Sequence, residues 1–112
     1  MLRLILYWES LGPTEDPYTV FVHLLDPAGR LISQEDSMPM SNLYPTTAWR
    51  PGEHIADGIY ELQIPEDALV GSYTLEFGLY HLQTGRRLDV LDEMGNPRDT
   101  RLLIPHIRVD AP

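Results

Sequence analysis

The sequence predicts an all-β fold, an antiparallel β-sandwich of about seven strands. Apolar and polar residues alternate through several stretches, turn-forming residues recur at intervals of roughly 8 to 12 residues, and no segment carries a 3.6-residue apolar stripe. A chain of 112 residues suffices for one hydrophobic core. We therefore expect residues 1–112 to form a single domain. Because a strand pattern begins directly after Met1, we expect it to be excised from a longer chain.

The first half of the chain contains three predicted strands. In residues 2–8 every second side chain is large and apolar, so this strand buries a face that ends at Trp8. Residues 18–25 are rich in β-branched and aromatic side chains, and residues 31–36 follow after the turn sequence Asp-Pro-Ala-Gly-Arg. The last two strands should form a hairpin.

A long connection over residues 37–52 contains three prolines and little alternation, which favours a crossing between sheet edges over a helix. Long loops are frequent binding surfaces. Within it Tyr44 and Trp49 offer aromatic faces, and Arg50 offers a planar guanidinium with several N–H donors. These groups suit a sugar or a protein partner. We take these three as candidate ligand-binding residues. The alternative is structural: Trp49 plugs the end of the sandwich and Tyr44 packs over it.

The second half of the chain completes the strand count. Residues 53–64 predict a strand kinked at Gly58, and residues 73–80 alternate most regularly. The last strand covers residues 102–109, where Pro105 requires a sheet edge or a bulge. Turns are predicted at residues 83–85 and 94–97, and one further short strand is predicted at residues 86–91.

Composition excludes several classes of function. A net charge of -9 and eight scattered basic residues argue against nucleic acid as a partner. The chain has no cysteine, and all eight basic residues are arginines, so thiolate, disulfide, Schiff-base and P-loop lysine chemistry are impossible. No apolar run approaches the roughly 20 residues that span a bilayer, so we expect the isolated domain not to be membrane-inserted.

The remaining polar residues show no catalytic or metal-binding spacing. The four histidines form no His-x-His or His-x-x-x-His pair, and no serine lies in a Gly-x-Ser-x-Gly elbow. We therefore expect no enzyme activity, no cofactor and no metal. Adjacent acidic residues could hold calcium only if loops brought several of their oxygens together, although no EF-hand spacing is present. They occur at residues 15–16, 35–36, 66–67 and 92–93.

Residues 68–75, Ala-Leu-Val-Gly-Ser-Tyr-Thr-Leu, resemble the E–F corner of immunoglobulin-like domains. In that corner a tyrosine hydroxyl bonds back to the preceding backbone, and Tyr73 is the candidate here. Since the chain lacks the cysteines of antibody domains, the resemblance is to the wider immunoglobulin-like sandwich class.

A second resemblance covers most of the chain. Three blocks are similar to the soluble domain attached to polytopic membrane glycosyltransferases of the dolichyl-phosphate-mannose mannosyltransferase type in Chloroflexi-like bacteria. The blocks are YTVFVHLLDPAGRL at residues 18–31, LYPTTAWRPGE at 43–53 and GSYTLEFGLYHLQTGRRL at 71–88. The resemblance implies an extracytoplasmic module, held at the membrane through its parent chain, whose transferase chemistry resides in membrane helices elsewhere. It implies no catalytic residue in this domain.

We therefore expect a non-catalytic accessory or interaction module whose partner is its parent membrane protein or another protein domain. The main alternative is a carbohydrate-binding module that uses Tyr44, Trp49 and Arg50. A third possibility is a structural or adhesive domain stabilised by calcium.

Overall fold

The computed structural model describes residues 1–110 and is built from antiparallel β-strands. A single turn of 3-10 helix, Thr46–Ala48, lies between the third and fourth strands. The strands are β1 (Leu2–Glu9), β2 (Tyr18–Leu25), β3 (Leu31–Ser37), β4 (His54–Leu62), β5 (Gly71–His81), β6 (Val90–Leu91), β7 (Pro97–Asp99) and β8 (Leu102–Val109). The predicted all-β class is confirmed.

Two sheets enclose the hydrophobic core. One has two strands, β1 and β4, and the other has four in the order β3-β2-β5-β8, while β6 and β7 form a small separate ribbon. Alternate residues of the strands in these two sheets point inward, as the period-2 pattern requires. The buried core comprises Leu6, Val20, Val22, Leu24, Tyr60, Leu62, Tyr73 and Leu75.

The kink predicted at Gly58 coincides with a register shift in the β1–β4 pair. The shift lies between Leu6 and Tyr7 on β1, and Gly58 opposite Leu6 has a φ of 122° that favours glycine. Trp8 lies on the inward face as predicted and packs half-buried against the core. Its indole Nε1 donates a 3.0 Å hydrogen bond to Asp57 on β4.

The corner before β5 has the predicted tyrosine contact. Tyr73 is completely buried and its hydroxyl donates a 2.7 Å hydrogen bond to the carbonyl oxygen of Leu69. The prediction for Pro105 is also confirmed. β8 is an edge strand, its pairing with β5 shifts register between Tyr73 and Leu75, and His106 beside the proline has a φ of 65°.

The short strand predicted at residues 86–91 is wrong over most of its length. Only Val90–Leu91 is a strand, and it pairs with β7. The preceding residues are joined to β5 by one bridge, between Arg87 and Tyr80, which is flanked by 2.8 Å backbone hydrogen bonds from Leu88 to Leu79 and from His81 to Arg86. Alternation could not reveal this, because the Arg87 side chain folds back over the sheet instead of continuing a pleat.

Candidate functional site

The three residues predicted to bind a ligand lie in the connection between β3 and β4, but their side chains do not share one open surface. The Trp49 ring packs 6.4 Å from that of Trp8 and the residue is only 7% exposed. Its Nε1 donates to the Tyr44 carbonyl oxygen at 3.2 Å. The Arg50 side chain is exposed. Trp49 therefore anchors the connection and presents no aromatic face for stacking.

The phenol of Tyr44 is engaged within the same loop. Its hydroxyl lies 2.6 Å from Oε1 of Glu53, and the same oxygen accepts a 3.0 Å bond from the Arg50 amide. The bond to Glu53 raises the pKa of the Tyr44 phenol, and the same bond lowers the pKa of the Glu53 carboxyl. These contacts close the loop on itself.

A buried carboxylate, that of Asp57, joins this connection to the two-stranded sheet of β1 and β4. Asp57 accepts hydrogen bonds from the Trp8 indole at 3.0 Å, from the Tyr60 hydroxyl at 2.8 Å and from the Met40 amide at 2.8 Å. Burial, followed by the bond to Asp57, raises the pKa of the Tyr60 phenol. Asp57 thus fixes the loop that carries Tyr44.

A second cluster lies on the outer face of the four-stranded sheet, and the sequence did not predict it. Phe21 on β2 points to this outer face yet is only 1% exposed. The Arg87 guanidinium lies over its ring, 4.2 Å from the centroid, in a cation–π contact. Gly78 on β5 lies beneath the ring, and a Cβ there would come within 2.9 Å of two ring carbons. The glycine therefore provides the space that buries Phe21.

Glu76 is the charged centre of this cluster. Its buried carboxylate accepts from Arg101 Nη1 at 2.6 Å and lies 2.8 Å from His23 Nδ1, with Arg87 Nη2 at 3.5 Å. Burial alone would raise the pKa of Glu76, but the bonds from Arg101 and His23 and the Arg87 charge outweigh it and lower the pKa. The same ion pair raises the pKa of Arg101. Glu76 is thus ionised, and its carboxylate is surrounded by the side chains of Arg101, His23 and Arg87.

The rim of the cluster is hydrogen-bonded as well. The Tyr80 hydroxyl donates a 3.0 Å bond to Asp36, and His23 Nε2 lies 3.7 Å from the same carboxylate. Burial, with a further contribution from the Asp36 bond, raises the pKa of Tyr80. His23 is therefore held between the carboxylates of Glu76 and Asp36.

Two clefts open beside this cluster, with Arg87 in the wall of both. The larger, of about 460 Å³, lies at the end of the sheet and includes exposed carboxylates, arginine and threonine side chains that could bond to a polar ligand. It is lined by Asp16, Tyr18, His81, Thr84, Arg86, Arg87, Leu88 and Asp89. The smaller, of about 260 Å³, is lined by Phe21, His23, Gln34, Asp36, Tyr80, Gly85 and Arg87. We call these two spaces together the Arg87 cleft.

The acidic pairs considered for calcium are partly used within the protein. Glu35 accepts a 2.6 Å bond from the Glu61 amide, Asp36 holds Tyr80, and Asp92 caps its own turn through the amides of Met94 and Asn96. Across residues 1–110, no three His, Asp or Glu side chains form a group that could hold a metal ion.

Searches against protein-family profiles, curated proteins and solved structures return no match to this chain. Over the described residues, no helix has the length and apolar character required to cross a bilayer.

Proposed function

We propose that this chain is a non-catalytic accessory module that binds a carbohydrate in the Arg87 cleft. The observation that carries the proposal is the guanidinium of Arg87, which lies over the Phe21 ring, 4.2 Å from its centroid, and lines both clefts. A planar fork of N–H donors presented in a fixed orientation suits neighbouring sugar hydroxyls, and exposed Asp16 and Asp89 supply acceptors. Binding sites of this kind need a few well-placed polar groups beside an aromatic surface, and the half-buried Tyr18 and Tyr80 line the two clefts.

The bonding of the Glu76 and Asp36 carboxylates supports a binding role for the cluster over a catalytic one. A general acid must hold a proton at the working pH, and a nucleophile must reach the substrate. Glu76 is ionised, buried and engaged by three basic side chains, while Asp36 is bonded to Tyr80. Neither is poised for a reaction.

The proposed setting of the module rests on the sequence resemblance. The block at residues 71–88, which resembles the soluble domain of membrane glycosyltransferases, contains Gly78, Arg86 and Arg87. We infer that the domain stands on the extracytoplasmic side, attached to its parent membrane protein, and holds a glycan near the membrane-embedded transferase. The Arg87 cleft replaces Tyr44, Trp49 and Arg50 as the proposed binding surface, because the Trp49 ring is buried.

An NMR titration of the isotope-labelled chain with a panel of oligosaccharides tests this proposal. We expect saturable amide shifts at residues 84–89 and around Phe21. Shifts confined to residues 44–53 would assign binding to the β3–β4 connection. An unchanged spectrum with every oligosaccharide would contradict the carbohydrate-binding function itself.

A further inference from the structure

The outer edge of β1 differs from the other edges of the two large sheets. In the part of the chain that the structure describes, β1 pairs with β4 on one side and no strand lies along its other side. Within residues 1–110, no hydrogen bond from outside the β1–β4 ladder reaches the backbone of residues 2–9. An unpaired strand edge presents a row of free N–H and C=O groups to another strand.

The other edges carry features that oppose pairing. On β4, the Glu35 carboxylate accepts a 2.6 Å bond from the Glu61 amide and so occupies one edge donor. On β8, Pro105 lacks a donor and His106 distorts the backbone with its φ of 65°. β3 contains the acidic residues 35–36, which would oppose self-pairing by charge repulsion. β1 has no comparable feature.

The outward face of β1 also carries an apolar surface. Ile5 is 50% exposed and Tyr7 is 73% exposed, and on β4 the cross-strand neighbour of Ile5, Ile59, is 55% exposed. Contiguous exposed apolar residues beside a free edge are typical of an interaction surface.

We propose that the edge of β1 pairs antiparallel with β1 of a second copy of this chain, about a two-fold axis at Leu6. In this register Arg3 faces Glu9 of the second copy, and Ile5 faces its Tyr7. The outward sequence Arg-Ile-Tyr-Glu, read at every second position from residue 3, is therefore complementary to itself in the antiparallel direction. Shifting the register by two residues on either strand loses the opposite-charge match.

The charges already present on β4 extend this match across four strands. Arg3 lies opposite Glu61 with Nε and Oε1 3.7 Å apart, and Glu9 lies opposite His54 at 3.9 Å. The proposed pairing joins these into one row: Glu61 and Arg3 of one copy, then Glu9 and His54 of the other. Each carboxylate of this row therefore has a basic neighbour, and the Arg3 guanidinium lies between two carboxylates.

The inward face gives independent support. Leu4 and Trp8 point toward the core but are only half-buried at this open edge. In the same register Leu4 of one copy lies opposite Trp8 of the other, so pairing would remove apolar surface on both faces of the joined sheet.

Sedimentation of the 112-residue chain and its charge variants is the first test. Near 0.15 M salt the Debye length is about 8 Å, which screens the repulsion between two chains of net charge -9. We expect the dimer to have a dissociation constant below about 1 mM. R3E and E9R should each weaken the dimer about tenfold or more, since each places like charges opposite one another at two positions of the dimer. R3E/E9R restores the opposite-charge pairs between the copies and should recover part of the lost affinity, because it removes the pairs with Glu61 and His54 on β4. Circular dichroism verifies that every variant is folded.

Cysteine cross-linking tests the register directly, and the wild-type chain has no cysteine to interfere. Directly opposite Cβ atoms lie about 5 Å apart and diagonal ones about 7 to 8 Å, so only the former permit a disulfide without backbone movement. A mixture of I5C and Y7C should form a mixed disulfide, while each variant alone should not cross-link.

Two results would overturn the proposal. A wild-type chain that stays monomeric to about 1 mM shows that this edge does not pair with itself. A dimer that is indifferent to R3E and E9R, or in which I5C links to itself, shows that the copies meet through another surface or register.

Discussion

The hydroxyl of Tyr73 donates a 2.7 Å hydrogen bond to the carbonyl oxygen of Leu69, four residues earlier in the chain. The bond closes the corner between the two sheets at the point where β5 begins. β5 pairs with both β2 and β8 and carries Glu76 and Gly78 on its outer face. The corner thus fixes the start of the strand on which the Arg87 cleft is built.

Replacing Tyr73 by phenylalanine should destabilise the fold by about 1 to 2 kcal/mol, because the completely buried side chain loses its hydrogen bond to the Leu69 carbonyl. Urea denaturation followed by fluorescence measures the change in the free energy of unfolding. The matched control is Y7F, at a residue 73% exposed, which should change stability by less than about 0.5 kcal/mol. Equal effects of Y73F and Y7F would contradict the role assigned to the corner.

Replacing Gly78 by alanine should displace the Phe21 ring, because the added Cβ would come within 2.9 Å of two ring carbons. We expect a loss of about 1 to 3 kcal/mol in stability, as for other overpacked sites. The exposed position Ser72 on the same strand supplies the control variant S72A. In an F21L background the G78A effect should shrink, and strict additivity of the two changes would argue against the contact.

Most of the fold could be predicted because strand alternation and turn chemistry are local signals. Residues 73–80 alternate cleanly, Gly58 marks the register shift, and Pro105 marks a bulge on an edge strand. Each of these features depends on the conformational limits of residues close together in the sequence.

The cluster around Phe21 and Glu76, beside which the Arg87 cleft opens, could not be predicted in the same way, because its members come from distant parts of the chain. Glu76 meets His23 from β2 and Arg101 from the turn before β8, and no spacing rule joins these three residues. One local signal was present. The run Val-Phe-Val at residues 20–22 is apolar on both faces of its strand, which indicates that something covers the outer face at Phe21.

Replacing Glu76 by glutamine should lower stability by about 2 kcal/mol at neutral pH, because the amide cannot neutralise Arg101 and Arg87. Chemical denaturation at pH 7 measures this loss. The exposed Glu66 gives the control variant E66Q, which should be neutral. An E76Q protein as stable as E66Q would contradict the importance of the buried ion pairs.

The pH dependence of stability should follow the same carboxylate. A carboxyl whose pKa is lower in the folded state than in the unfolded state stabilises the fold above its unfolded pKa, about 4.3 for glutamate. That contribution disappears as the pH falls through the folded pKa. The free energy of unfolding should therefore decrease on acidification, less steeply in E76Q than in the wild type. Asp26 and Glu53, whose pKa values are also lowered, should leave a residual slope in E76Q.

Replacing Asp57 by alanine should leave the Trp8 indole, the Tyr60 hydroxyl and the Met40 amide without their acceptor. We expect a loss of about 3 kcal/mol and faster hydrogen exchange at the Met40 amide. The exposed Asp67 provides the control variant D67A. Unchanged exchange at Met40 in D57A would show that other contacts hold the β3–β4 connection.

The affinity of two arginine variants for the oligosaccharide that produces the largest NMR shifts tests the central claim most directly. R87K keeps the charge but loses the planar guanidinium that lies over the Phe21 ring, whereas R50K makes the same change in the β3–β4 connection. If the Arg87 cleft is the binding site, the dissociation constant should rise about tenfold or more in R87K and stay unchanged in R50K. Loss of affinity in R50K with full affinity in R87K would contradict the account and place the ligand on the connection.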